Sequence, residues 1–300
     1  MKLHLLSLAL TLALTAATLA VPAAAADRDI TIRFAGKVGD QPFACGSRYP
    51  GIGTTGSTIT PSDFRFYVSD VALVKADGAE VPLNLKQDGR WQYKNVALID
   101  FEDRSGPCTS GTAETNATVT GTAPDGTYTG IAFTLGVPFD LNHADASLAP
   151  SPLNLSGMFW SWLGGYKFLR ADMDTSGGAQ GSGPGGRGFV VHLGSTACTP
   201  RLETAGGMPA AHGQNAHGQG GMKPAESCAN PNRPRVVLTG MDPLKVSIVA
   251  DLGRLLSASN VDVNQPDSAL GCMSAPNDAD CPAILGALGL GGPQRFFRAE

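Results

Sequence analysis

Gly157-Met158-Phe159-Trp160-Ser161-Trp162-Leu163-Gly164-Gly165-Tyr166-Lys167-Phe168-Leu169-Arg170 is the stretch from which the fold can be read. It gathers two of the three tryptophans, a tyrosine, two phenylalanines and a methionine, in a chain that is only 7% aromatic. Phe159, Ser161 and Leu163 alternate with Trp160 and Trp162. Aromatic side chains suit a pleated, half-buried surface, so the alternation predicts a core strand over Met158–Arg170. A second reading makes one tryptophan part of a redox or metal site, with the glycines letting another segment approach closely. On pattern alone the strand is favoured.

Strand patterns recur on both sides, at Ile30–Ala35, Phe64–Val74, Val96–Phe101, Ala117–Val119, Tyr128–Leu135, Gly188–Leu193, Arg235–Leu238 and Leu244–Val249. Turn formers separate nearly all of them, and Asp77-Gly78, Asp88-Gly89 and Asp125-Gly126 are hairpin signals. Helix is scarce: a short one near Ser62–Asp63 or Asp251–Leu256, and another at Pro282–Leu288 stopped by Gly289. With 38 glycines and 21 prolines the chain is rich in turns. Short strands at this spacing predict an all-β fold, an antiparallel two-sheet β-sandwich with long decorated loops.

Met1-Lys2, an apolar run from Leu5 to Ala20, and an Ala-x-Ala ending at Ala26 predict a signal peptide over residues 1–26. No other stretch is long and apolar enough to cross a bilayer. The expectation is an exported single domain over residues 27–300 with no membrane span. A net charge of -4 without a basic run argues against nucleic-acid binding. Export makes an even cysteine count read as disulfides, and no Cys-x-x-Cys pair suggests zinc or thioredoxin-like chemistry. Connectivity is open from sequence, although pairing neighbours gives Cys45–Cys108, Cys198–Cys228 and Cys272–Cys281.

Two regions do not read as core. Asp174–Arg187 is a Gly-rich connection, and residues 199–227, across the base of which Cys198–Cys228 would close, form a polar flap. The flap carries Met208, His212, His217 and Met222, a mixed thioether and imidazole set that makes a secondary metal candidate.

"GMFWSWLGGYKFLRAD", preceded by "LGVPFDLNHAD" and "APSPLNLSG" and followed by "FVVHLGSTAC", resembles the MbnP family of methanobactin-associated periplasmic copper-binding proteins. These are the four-Cys half of a "metallo-mystery pair", and the first four cysteines here would be that set. The likeness runs from about Cys45 to the C-terminus. It implies a copper-binding periplasmic protein in copper homeostasis or acquisition. It also implies that a tryptophan is oxidised to kynurenine by a dihaem cytochrome c peroxidase-like (MbnH-like) partner, the kynurenine amine approaching copper beside histidines. The matched positions are His143, His192 and one tryptophan of the Phe159–Trp162 string. Strand alternation puts Trp160 and Trp162 on one face and cannot choose between them; Trp162 is preferred, and Trp91 is a third candidate.

The residues themselves fit copper better than zinc. Imidazole suits both, but a site of few ligands beside thioether or aromatic groups favours Cu(I), whereas zinc takes four ligands. Catalysis has little support: Ser195 lacks a nucleophile elbow, and His143-x-Asp145 has no nucleophile at readable spacing. The Asp-rich run from Asp262 to Asp280 lacks an EF-hand pattern and reads as a loop clamped by Cys272–Cys281. The non-metal alternative is an interaction or carbohydrate-binding sandwich with aromatics stacking on sugars.

Overall fold

The computed structural model describes residues 26–161, 163–178, 188–200, 224–275 and 277–300. Residues 1–25 of the segment read as a signal peptide, Trp162, most of the Gly-rich connection and the flap residues Met208, His212, His217 and Met222 lie outside the described residues.

The longer strands are β1 (Asp27–Val38), β2 (Ser57–Val74), β3 (Val96–Asp100), β4 (Thr118–Pro124) and β5 (Gly130–Leu135). They continue with β6 (Phe159–Ser161), β7 (Gly165–Tyr166), β8 (Leu169–Thr175), β9 (Phe189–Leu193), β10 (Thr196–Pro200) and β11 (Ala225–Asn230). The last three are β12 (Arg235–Thr239), β13 (Ser247–Asp251) and β14 (Phe297–Ala299). Three short helices interrupt them: α1 (Phe139–Asn142), α2 (Leu252–Leu256) and α3 (Cys281–Leu288). The architecture is the expected all-β sandwich. One sheet runs β14-β13-β1-β4, with β13 parallel to β1, and the other runs β9-β8-β2-β5-β12 with β3 also on β2.

Strand β2 is the axis of the second sheet. Phe64, Phe66 and Val68 point into the sandwich, where Phe66 meets Phe34 of β1 and Phe297 of β14 edge to face, at 5.9 and 5.5 Å between ring centres. Phe34 also meets Phe133 at 5.7 Å. Each such ring removes enough apolar surface from water to contribute roughly 1.5–3 kcal/mol, and the edge-to-face geometry adds to that. The alternate residues, Asp63, Arg65, Tyr67 and Ser69, face the other way and are equally buried. Their cover is the excursion between β5 and β8: the Tyr67 hydroxyl donates to Pro152 O at 2.9 Å, and its ring meets Tyr166 at 5.8 Å.

Several expectations are corrected. Residues 158–170 are not one strand: Gly164 N bonds Ser161 Oγ and Gly165 adopts φ 75°, so the chain folds back as the β6–β7 hairpin before entering β8. Ser62–Asp63 is strand, because Asp63 is pinned in β2 by Arg65 and pairs with Asp172 of β8. Asp77-Gly78 does close a hairpin. Asp125-Gly126 and Asp88-Gly89 instead carry the chain from one sheet to the other. Both ends of the region read as a flap are strand, since β10 and β11 pair across the Cys198–Cys228 disulfide. The helices at Leu252–Leu256 and Cys281–Leu288 form, the latter capped by left-handed Gly289. All three neighbour pairings of cysteine are present as disulfides. The acidic run is absorbed internally: Asp262 accepts from Thr55, Ser57 and Gly177, and Asp280 from Gln265 N.

Phe66→Ala should destabilise the fold by about 3–5 kcal/mol in denaturant unfolding, through lost burial and a cavity among the rings it meets. A loss under 1 kcal/mol would mean that β2 is not the core strand.

Candidate metal centre

The covered face of β2, β8 and β9 holds a run of ionic side chains set by register, with Asp63 opposite Asp172, Arg65 opposite Arg170, and Arg170 opposite His192. Arg65 Nε donates to Asp63 Oδ1 at 2.8 Å, with both groups almost wholly buried. Arg170 Nε lies 3.1 Å from Asp63 Oδ2 and donates to Asp172 Oδ2 at 2.8 Å. The run ends where His192 Nε2 meets Asp172 Oδ1 at 2.6 Å. Burial would raise the Asp172 carboxyl, but hydrogen bonds from His192 and Arg170 and their charges hold it at about 2.

An ionised carboxylate only accepts, so Nε2 is the donor to Asp172 and Nδ1 is the nitrogen that faces away from it. His192 is 8% exposed, and its Nδ1 is a buried atom with no hydrogen-bond partner. Orphaned buried nitrogens are uncommon and call for a reason. Trp160 stands beside this histidine, ring centres 6.3 Å apart. Gly194 makes room for the indole, because a Cβ there would fall 2.4 Å from Trp160 Cζ3.

His143 caps the C-terminus of α1. It is 5% exposed and packs on Phe139 at 4.6 Å between ring centres. The Tyr166 N–H donates to Asn142 Oδ1 at 2.7 Å, which turns the Asn142 amide nitrogen toward His143 Nε2 at 3.0 Å. That nitrogen lies 3.4 Å from Cys228 Sγ. Among the described residues, His143, Cys198 and Cys228 bring their potential ligand atoms within 4.8 Å of one another, but both sulfurs are tied up in the disulfide. Between the β6–β7 hairpin and the β10–β11 ribbon opens a cavity of about 460 Å³, walled by Trp160, Leu163, Cys198 and Met273 among others.

Of the residues singled out from sequence, His192 stands beside Trp160, which lines this cavity, and His143 stands beside Cys228, the disulfide partner of Cys198, which also lines it. Trp91 lies elsewhere, beside the short strand Gln92–Tyr93 with the Arg90 guanidinium 5.1 Å above its ring. Ser195 donates its hydroxyl to Pro231 O at 3.0 Å, in keeping with a structural role. Asp172 and Asn142 were missed. Asp172 left a signal, since Arg170 and Asp172 alternate with apolar residues in β8 and so mark one face as charged; Asn142 left none.

The fold and its bridges define a cystine-linked β-sandwich with a covered ionic face. The family model for MbnP matches residues 27–274, and the chain belongs to the MbnP family. It is similar to the solved structure of MbnP from Methylosinus trichosporium, with 31% identity and a TM-score of 0.74 over 91% of this chain and 98% of that one. A comparison with curated proteins finds no match. None of the described helices is long and apolar enough to cross a membrane.

Deeper in the same face, burial pushes the Asp100 carboxyl up to about 7, against the pull of Arg65 and with Asp63 and Glu102 adding to the rise. Unfolded, it titrates near 3.8, so its contribution to stability is complete below that pH and lost as pH rises through 7. Asp100→Asn should therefore flatten the fall in urea-unfolding stability across this window. An unchanged slope would place that proton elsewhere.

Proposed function

We propose that this MbnP-family protein is an exported periplasmic copper-binding protein, not an enzyme, acting in copper homeostasis or acquisition. Its centre is formed by His143, His192 and Trp160, and Trp160 is converted to kynurenine by a dihaem cytochrome c peroxidase-like partner. The observation that carries the reading is the buried, unpartnered Nδ1 of His192, fixed by Asp172 and set beside Trp160. A histidine whose far nitrogen donates to a carboxylate is how proteins orient an imidazole toward a metal. The donor set fits the ion: neutral imidazoles in few positions suit Cu(I), while the disulfide withholds the thiolates that zinc would take. Bound copper would supply the metal-handling chemistry. The chain itself supplies the lone pairs, the enclosure and the oxidisable ring.

Tryptophan offers only an indole N–H donor, whereas opening the ring leaves an aniline amine with a lone pair. Modification would thus create a ligand where none exists, and of the described tryptophans Trp160, beside His192, is the one whose position supports this role. The sugar-binding alternative loses ground here. The large apolar side chains exposed among the described residues, Leu148, Val237 and Val263, are aliphatic and offer no stacking platform.

Protein co-produced with the dihaem partner should show, by intact mass, loss of one carbon and gain of one oxygen, with new near-ultraviolet absorbance and tighter Cu(I) binding. Trp160→Phe should block all three changes; if that variant still acquires the absorbance, the modified residue is Trp162 or Trp91. His143→Ala and His192→Ala should each abolish tight binding, whereas deleting Met208–Met222 should preserve it. Asp172→Asn should weaken Cu(I) binding about 10- to 100-fold in chelator competition, the scale of lost ligand orientation. Undiminished affinity would separate His192 from the metal.

A further inference from the structure

The Cys198–Cys228 bridge differs from the other two in place and in access. Cys45–Cys108 and Cys272–Cys281 each have at least one buried member, whereas Cys198 and Cys228 are both half-buried. The bridge also belongs to neither sheet of the sandwich: it joins the two strands of the β10–β11 ribbon, and Cys198 lines the cavity of about 460 Å³. A disulfide is opened by a thiolate that reaches one of its sulfurs, so access separates exchangeable bridges from inert ones.

Contacts other than the bridge keep these two cysteines opposite one another. They are partners in antiparallel register, flanked by the pairs Thr196–Asn230 and Thr199–Ser227. Thr199 Oγ1 lies 3.0 Å from Ser227 Oγ, and Asn230 Nδ2 donates to Thr196 Oγ1 at 3.3 Å. The ribbon is fastened to the sandwich as well: Thr196 Oγ1 donates to Ser274 O at 3.1 Å, and Asn232 Nδ2 donates to Gly194 O at 2.8 Å. Two thiols at these positions would stay side by side.

His143 completes the set. Its Nε2 lies 3.4 Å from Cys228 Sγ, and the ligand atoms of His143, Cys198 and Cys228 fall within 4.8 Å of one another. Tetrahedral zinc, with bonds of about 2.3 Å to sulfur and about 2.0 Å to nitrogen, sets those two kinds of atom about 3.5 Å apart. The nitrogen and the nearer sulfur already stand at that spacing.

We propose that Cys198–Cys228 is a reducible bridge whose two thiols, with His143, form a site for a zinc-like divalent ion in the reduced protein alone. An external dithiol supplies the electrons. One of its sulfurs attacks Cys198 Sγ, the Cys198–Cys228 bond breaks, and Cys228 Sγ leaves with the bonding pair beside His143. The second sulfur then attacks the mixed disulfide and releases Cys198. The dithiol ends as a disulfide, and its two electrons and two protons end on the cysteines. An entering metal ion displaces the thiol protons. The copper reading above concerns the oxidised protein, so this site stands or falls apart from it.

The test treats the mature protein with graded dithiothreitol under native conditions, alkylates it and maps the labelled peptides. Cys198 and Cys228 should be labelled at about tenfold lower reductant than the other four cysteines, with far-ultraviolet circular dichroism retained. Labelling of all six together, or of these two last, would overturn the proposal. Protein reduced in this way, freed of dithiol and kept anaerobic, then receives one equivalent of Co²⁺ as the probe for zinc. Reduced wild type should develop sulfur-to-cobalt charge-transfer absorption that the oxidised protein lacks, and a joint Cys198→Ser and Cys228→Ser variant should show none. His143→Ala should leave the order of reduction unchanged but lower the Co²⁺ affinity of the reduced protein about tenfold or more. No charge-transfer band in reduced wild type, or an affinity indifferent to His143→Ala, would sink the site. Cu(I) binding by the oxidised protein decides the copper reading separately.

Discussion

Burying both faces of β2 is the constraint from which the rest of the structure follows. Its inward face meets the aromatic core, which needs no compensation. Its outward face carries Asp63 and Arg65 out of water, and such charges persist only when paired and hydrogen-bonded. The neighbouring strands supply the partners through register alone: Arg170 and Asp172 from β8, then His192 from β9. The excursion from α1 to β7 covers this layer, and in covering it brings Trp160 beside His192.

The ionic layer also explains why His192 is held so firmly. Asp172 is bound on one side by Arg170 and faces His192 on the other, so it stays ionised in an environment that would otherwise protonate it. Replacing such a layer with apolar residues could match its stability, but would not fix which imidazole nitrogen bears the proton. What the protein gains is orientation rather than strength.

Much of this was legible in the sequence. The alternating apolar residues of β1, β5 and β9 announce sandwich strands, and the neighbour pairing of cysteines holds. The start of β2 was not legible, because a charged face reads as solvent-exposed or as a helix cap until the segment covering it is known. The Trp-rich stretch misled for a related reason: alternation persists through Gly164-Gly165, and only a left-handed glycine reveals the reversal. Trp160 and Trp162 share their pattern, and it is the structure that sets Trp160 beside His192. Asn142 acts through an amide bond to Tyr166 that no local motif encodes.

The edge where β1 meets β13 and β14 has a bearing on how the molecule is assembled. Lys37 forms an ion pair with Glu300, 263 residues along the chain, and Arg33 pairs with Ser247 in parallel. Contacts of such sequence separation close large loops before any reward is gained, so topology of this kind folds slowly. The first sheet cannot be completed on its N-terminal strand until the C-terminal ones are present. A chain built this way stays open while it is being synthesised, and closes only when its last strand has emerged.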